Sequence, residues 1–211
     1  MRSISRAVGD PVFVALGHTI AAHRLPVEPF CDLLEAFRRD AAGESRAFAE
    51  WDDVLGYCRY SANPVGRIVL ALFGHRDAER QARSDDVCTA LQLTNFWQDV
   101  AGDLGRGRVY LPAADLDRFP GSRDALAEGR ATPAFRALLA EEVARTRGLF
   151  TRGLGLTGLL RGRLRREVAI FAAGGMAILD RICAVDFDVF GRRPTLGRRD
   201  LVRLVLREVW R

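Results

Sequence analysis

From Pro11 onward, apolar residues return at intervals of three and four, and no segment alternates apolar and polar as a half-buried strand does. A chain with that period buries its apolar side chains by packing amphipathic helices face to face. The expected fold is therefore all-α, a helical bundle forming a single domain over residues 1–211. Length supports this: 211 residues, 48% of them hydrophobic, are enough for one sizeable core. The pattern predicts helices at Pro11–His23, stopped before Pro26, and at Glu28–Asp40, where Phe30, Leu33, Leu34 and Phe37 make an apolar stripe. A third runs from near Phe48 to Phe73 and is kinked at Pro64, which removes a backbone donor and crowds the preceding turn. A fourth spans Asp85–Asp103 and ends at Gly105 and Gly107. A short helix follows Pro112. Long ones follow at Pro133–Leu154 and around Leu164–Val185, and after the GRRPT break the last runs from Arg198 to Trp210.

Composition narrows the function classes. Charged residues at 28% and aromatic residues at 9% argue against disorder. No eighteen-residue apolar run offers a membrane span, and the start MRSISRAVGDPVF lacks an apolar signal region, so a cytoplasmic protein is expected. All 32 basic side chains are arginine, for which a GC-rich coding bias is the simplest cause, and Schiff-base catalysis by lysine is excluded. A net charge of +5 is compatible with phosphorylated ligands, nucleic acid or an anionic membrane face, and chooses among none of them. The arginines are scattered rather than gathered with aromatic residues, so nucleic-acid binding is not expected. Cys31, Cys58, Cys88 and Cys183 lie far apart without zinc spacing and read as free core thiols. His18, His23 and His75 read as surface or capping residues.

The strongest chemical signal is LQLTNFWQDVAGDLGRGRVYLP, Leu91 to Pro112. Gln92, Asn95, Asp99 and Asp103 stand three, four and four apart, which puts them on one narrow stripe of a helix. Two carboxylates one turn apart are costly to bury unpaired, and a hard divalent cation relieves that cost. Magnesium takes one or two carboxylates together with water and substrate phosphate oxygens, which is what such a stripe can offer. Arg106 and Arg108 in the following tail suit a diphosphate. The plainer reading is that Asp99 and Asp103 cap a helix end and face solvent. A second constellation is YCRYSANPVGRIVL, where Tyr57, Ala62, Val65 and Gly66 recur on roughly one face. Small residues there either leave room for a bulky apolar ligand or let two helices approach.

Taken together, YCRYSANPVG, then LQLTNFWQDVAGD, then GRVYLP resemble the squalene/phytoene synthase family, with weaker likeness through FAAGGMAILDRI and RRPTL. The resemblance implies an isoprenoid-synthase-type helical bundle acting on prenyl diphosphates with Mg2+. In that family the second aspartate-rich motif binds magnesium and substrate diphosphate. The match carries that role to Asp99 and Asp103, with Gln92 and Asn95 as accompanying site residues. Tyr57, Ala62, Val65 and Gly66 match positions lining the prenyl-chain pocket, and Tyr110 matches the tyrosine of the loop after the motif. NFWQD is more like the hopanoid-pathway branch, which converts presqualene diphosphate to hydroxysqualene, than the NILRD of phytoene synthases. Gln98 stands where the family usually has an arginine, which puts a diphosphate contact from that position in question. Gly174 and Gly175 replace an aromatic residue of many relatives, so they either widen the pocket or mark the branch.

One departure is an absence. The family carries a first aspartate-rich motif on an early helix, and nothing here matches it: Asp10, Asp32 and Asp40 are isolated, and Asp52 and Asp53 read as helix caps. The resemblance therefore implies a chain that begins inside the family fold, its front helices missing through an incomplete gene model or a truncated product. Such a chain carries half a metal cluster, with weak or absent turnover and an exposed apolar surface as the expected consequences. Conversion of presqualene or farnesyl diphosphate to a C30 product such as hydroxysqualene or squalene is the leading reading. A phytoene-type synthase, a non-catalytic binding or assembly protein on the same scaffold, and an unrelated helical protein with a solvated DxxxD remain open. Greasy products make peripheral membrane contact compatible with this reading, and the oligomeric state is not readable.

Overall fold

Local capping chemistry sets where the helices begin and end. The computed structural model describes residues 10–209, which contain twelve α-helices and no strand. The first residues of MRSISRAVGDPVF, and Trp210 at the expected end of the last helix, lie outside them. Helix α1 (Pro11–His23) starts where the Asp10 carboxylate accepts the Val12 amide at 2.8 Å. Helix α2 (Glu28–Ala42) ends at Gly43, whose φ of 75° suits a residue without a Cβ. Helix α3 (Trp51–Ser61) opens on a reciprocal capping box between Glu50 and Asp53, so Asp53 is a cap as its position suggested.

The single kinked helix expected over Phe48–Phe73 is instead two. Helix α3 stops at Ser61, Ala62 leaves the helical region at φ −123°, and α4 (Asn63–Leu72) restarts with Pro64 in its first turn. Proline is accommodated there because a first-turn amide has no intrahelical acceptor to lose. Helix α5 (Ala78–Gln98) begins seven residues earlier than the expected Asp85, on the Asp77 cap, and α6 (Val100–Leu104) follows after a break at Asp99. Short helices α7 (Ala113–Arg118) and α8 (Ser122–Ala127) lead to α9 (Pro133–Gly153). Then come α10 (Leu156–Leu159), α11 (Gly162–Ala184) and α12 (Arg198–Val209).

Helix α5 is the axis of the molecule, with α4, α9 and α11 packed on it. Its Ala90, Leu93 and Trp97 are fully buried among Phe135, Leu138, Leu139 and Phe150 of α9 and Leu179 and Ile182 of α11. Each such large side chain contributes roughly 1.5–3 kcal/mol of transfer free energy, which outweighs the weak helix preference of the glycine-rich stretches. The Trp97 indole donates to Thr146 Oγ1 at 2.8 Å, so the largest core ring carries no unmet polar atom. Polar clips fix the α4–α5 register: Thr89 Oγ1 donates to Asn63 Oδ1 at 2.9 Å, and Arg67 grips Asp85 with its closest contact at 2.6 Å.

Two expectations change at the surface. The apolar stripe of α2 is only partly a core face: Phe30 and Leu33 are half-buried, Leu34 and Phe37 are exposed, and the helix buries Pro29 and Ala36. The thiols are not uniformly internal either. Cys58 is buried, and that burial pushes its thiol up to about 12, while Cys31 is exposed. Among the described residues no helix is long and apolar enough to cross a membrane.

Candidate functional site

The acidic stripe survives the break in its helix. Asp99 has φ −106° and ψ 13°, yet its amide still donates to the Asn95 carbonyl at 2.9 Å, and the Asp103 amide donates to the Asp99 carbonyl at 2.9 Å. The i to i−4 ladder thus crosses the kink and keeps Gln92, Asn95, Asp99 and Asp103 in one row. Asn95 is exposed and Gln92 half-buried. Asp103 is buried, at 9% exposure, and the Asp99 side chain is 31% exposed, so only the second acid is withdrawn from solvent. Burial, and then the nearby Asp99 carboxylate, push the Asp103 carboxyl above its ordinary range, against the pull of Arg106 3.2 Å away.

The loop after the stripe folds back beside it. The Val109, Ala113 and Ala114 amides donate to the carbonyls of Arg46, Phe48 and Ala49, at 2.8, 2.9 and 3.0 Å. Tyr110 is thereby laid flat on Phe96, with ring centroids 3.7 Å apart, and Phe48 and Tyr57 complete an aromatic cluster. The Tyr57 hydroxyl donates to both oxygens of Asp40, each at 3.2 Å. Burial above all pushes the Tyr57 and Tyr110 hydroxyls up, so both stay neutral. Asp40, which looked isolated in the sequence, therefore reaches this end of the bundle from α2. Its spacing offered no signal, because its partner is seventeen residues away on another helix.

The four small or aromatic positions expected to share a face do not stay together. Tyr57 belongs to the aromatic cluster, and Ala62 is buried at the break between α3 and α4. Val65, 51% exposed, and Gly66 instead line an apolar groove of about 250 Å3 between α4, α5, α10 and α11. Val69, Val87, Cys88, Leu91, Leu164, Val168 and Phe171 make most of its wall. Gly66 also lets two helices approach, since a Cβ there would lie 2.3 Å from Ser84 Oγ and 2.7 Å from Cys88 Sγ. Close helix approach is thus shown for Gly66, which also lines the groove. At Gly175 a Cβ would lie 2.4 Å from Phe150 Cζ, so this glycine seats α11 against α9 rather than widening a pocket; Gly174 has open space around it.

Helix α5 joins the two regions. Ser84 and Cys88 of the groove and Gln92, Asn95, Asp99 and Asp103 of the polar end follow one another at three- and four-residue steps, with Leu91 beside them three residues after Cys88. At about 100° per residue they form one continuous stripe, apolar in its first half and acidic in its last.

Two further contacts escaped the sequence reading. Arg193, from the segment after α11, makes a two-point ion pair with Asp99, Nε to Oδ1 and a terminal nitrogen to Oδ2 at 2.8 Å. Gln98, buried, donates to the Pro194 carbonyl and accepts from Arg193 at 3.1 Å. The residue standing for the family arginine thus anchors the GRRPT segment. As for a metal, the described residues contain no group of three or more His, Cys, Asp and Glu side chains able to hold an ion. Asp99 and Asp103 fit one that takes two carboxylates and completes its shell with water and phosphate oxygens.

A family model described as squalene/phytoene synthase matches residues 3–200. The chain belongs to the squalene/phytoene synthase family. It is similar to the hydroxysqualene synthase of Rhodopseudomonas palustris, 35% identical over 172 residues, covering 81% of this chain and 58% of the relative. It is also similar to the phytoene synthase of Thermus thermophilus, 38% identical over 173 residues, covering 82% and 58%. Among solved structures, squalene synthase HpnC from Alicyclobacillus acidocaldarius superposes with a TM-score of 0.82 at 43% identity, covering 88% of this chain and 72% of that one. A dehydrosqualene synthase in complex with ligand superposes at 0.85, with 25% identity and coverage of 96% and 71%. The all-helical isoprenoid-synthase architecture expected of a squalene/phytoene synthase is thus what the chain has. The chain spans 58% of the length of the two curated relatives named above.

Proposed function

We propose that this chain carries the diphosphate-binding end and part of the prenyl-chain groove of a magnesium-dependent synthase that joins or rearranges prenyl diphosphates. The observation that carries the reading is the row along α5 and α6, in which the groove residues Cys88 and Leu91 are followed by Gln92, Asn95, Asp99 and the buried Asp103. An amphiphile with a long hydrocarbon tail and an anionic, metal-seeking head matches that sequence of surfaces. Asp99 and Asp103 would hold Mg2+, and Gln92 and Asn95 on the same row would orient its water or the diphosphate. When bound, the metal would neutralise charge on the departing diphosphate. Arg106 and Arg108 would add hydrogen bonds to the same oxygens. The rings of Phe96, Tyr57 and Tyr110 would exclude water from a carbocation formed beside them, and the neutral tyrosines present no base to quench it.

NFWQD and the 43% identity to the HpnC structure favour farnesyl or presqualene diphosphate as substrate and hydroxysqualene or squalene as product. The Thermus relative supports the phytoene alternative. The test has two stages. Titration with the unreactive farnesyl thiodiphosphate should show binding that needs Mg2+ and weakens at least about tenfold in Asp103→Asn, the loss of one charged ligand. Equal binding without Mg2+, or by the variant, would sink the reading. Incubation with farnesyl, presqualene and geranylgeranyl diphosphates, scored by pyrophosphate release and extracted product, then separates the branches. Metal-dependent binding with no release would instead support the non-catalytic binding protein.

A further inference from the structure

Asp99 already has a cation. Arg193 meets its carboxylate at two points, and the same guanidinium donates to Gln98 Oε1 at 3.1 Å. The backbone around Arg193 is fixed independently of that contact. Pro194 is buried and its carbonyl accepts from the Gln98 amide, while Val189 and Phe190 upstream are packed in the core, Phe190 against Phe135. Downstream, the Asp200 carboxylate accepts the Gly197 amide at 2.9 Å and pairs with Arg181 at 2.7 Å. The side chain is free in a way its backbone is not: it is 53% exposed, and the Asp99 side chain 31%. Arg193 can therefore leave Asp99 by rotating its own torsions, with no segment unfolding.

A guanidinium seated two-point on a carboxylate occupies both oxygens and sets its positive charge against any divalent cation approaching them, so the two cations compete. Once displaced, the guanidinium remains tethered a few ångströms from the ion that replaced it. Any phosphate oxygens carried by that ion fall within its reach, and planar two-point pairing with phosphate is what guanidinium does best. We propose that Arg193 is an exchangeable occupant of Asp99. It holds this carboxylate in the metal-free protein, yields it to a divalent cation, and then pairs with the phosphate groups that the cation brings. Metal alone is thus disfavoured, and metal with diphosphate is favoured, by one side chain. Gln98 takes part as the positioning residue, since it binds both the guanidinium and the carbonyl of the next residue. The proposal rests on Asp99 being a metal ligand.

The test is manganese binding to the full chain, followed by the electron paramagnetic resonance signal of free Mn2+, with and without inorganic pyrophosphate. Arg193→Gln should bind Mn2+ alone about fivefold more tightly than the parent protein, the size of a half-exposed ion pair removed. With pyrophosphate present the order should reverse, the variant holding the metal several-fold more weakly. Unchanged or weaker binding of Mn2+ alone overturns the exchange, and an unchanged gain from pyrophosphate overturns the phosphate contact. Arg192→Gln, one residue away and exposed, should match the parent in both conditions; an equal effect there would reduce the result to net charge and overturn the proposal. Asp99→Asn is the separate control. If it leaves Mn2+ binding intact, the metal assignment fails, whatever Arg193 does.

Discussion

Glu142 of α9 shows how far a single residue can depart from its surface chemistry. It is fully buried, its Oε2 has no hydrogen-bond partner while the group is a carboxylate, and burial, then the neighbouring Asp115, raise it to about 8. Carrying a proton, the Glu142 carboxyl becomes a donor to Asp115, which is itself held ionised by Arg145 at 2.6 Å. The pKa is higher in the folded chain than in the unfolded one, whose glutamate ionises near 4.5. Its favourable contribution is therefore complete below about 4.5 and is lost progressively as pH rises to about 8, because only the unfolded state releases the proton there. Melting temperatures taken between pH 5 and 8 should fall with pH in the parent protein, and Glu142→Gln should remove most of that slope. An unchanged slope in the variant would place the titrating group elsewhere.

Among the elements, the α5 contacts with α4 and α11 decide whether groove and acidic row share a stripe. Helix α11 approaches closely because Gly175 has no Cβ to meet the buried Phe150 ring, and Leu91 of the groove lies on the same contact. Gly175→Ala would force that ring or the whole helix aside, costing about 1–3 kcal/mol as an overpacked core does. Thermal unfolding should show a loss of several degrees, with little change for Gly174→Ala, where nothing lies within 4 Å. The break at Asp99 belongs to the same scale. A straight helix through Asp103 was the expectation, but the chain kinks while keeping its ladder, and the two acids stay one turn apart.

For the molecule as a whole, exposed apolar side chains set the solution behaviour. Leu34 and Phe37 of α2, with Val65 of α4 and Phe171 of α11, present large hydrophobic surface to water. Sedimentation velocity should show association that grows with protein concentration, and Leu34→Glu combined with Phe37→Glu should reduce it. If the double variant associates as strongly, the sticky surface lies on other helices. The aspartate pair, the aromatic loop and the small-residue segment were legible beforehand because each lies within a few turns of chain. Asp40 and Arg193 were not, since their partners stand 17 and 94 residues away and leave no period in the sequence.

The sequence by itself determined the helical class, most helix positions and the row Gln92–Asn95–Asp99–Asp103, because helical geometry converts three- and four-residue spacing directly into a shared face. It also carried the family motifs. Tertiary structure alone decided that Val65 and Gly66 line a groove while Tyr57 turns to Asp40, and that Gln98 and Arg193 tie the chain's last segment to the acidic row. It decided too that Leu34 and Phe37 of the α2 stripe face outward. Which face of a helix is buried, and which charge meets which, depends on elements brought together from distant parts of the chain, and local periodicity carries no record of them.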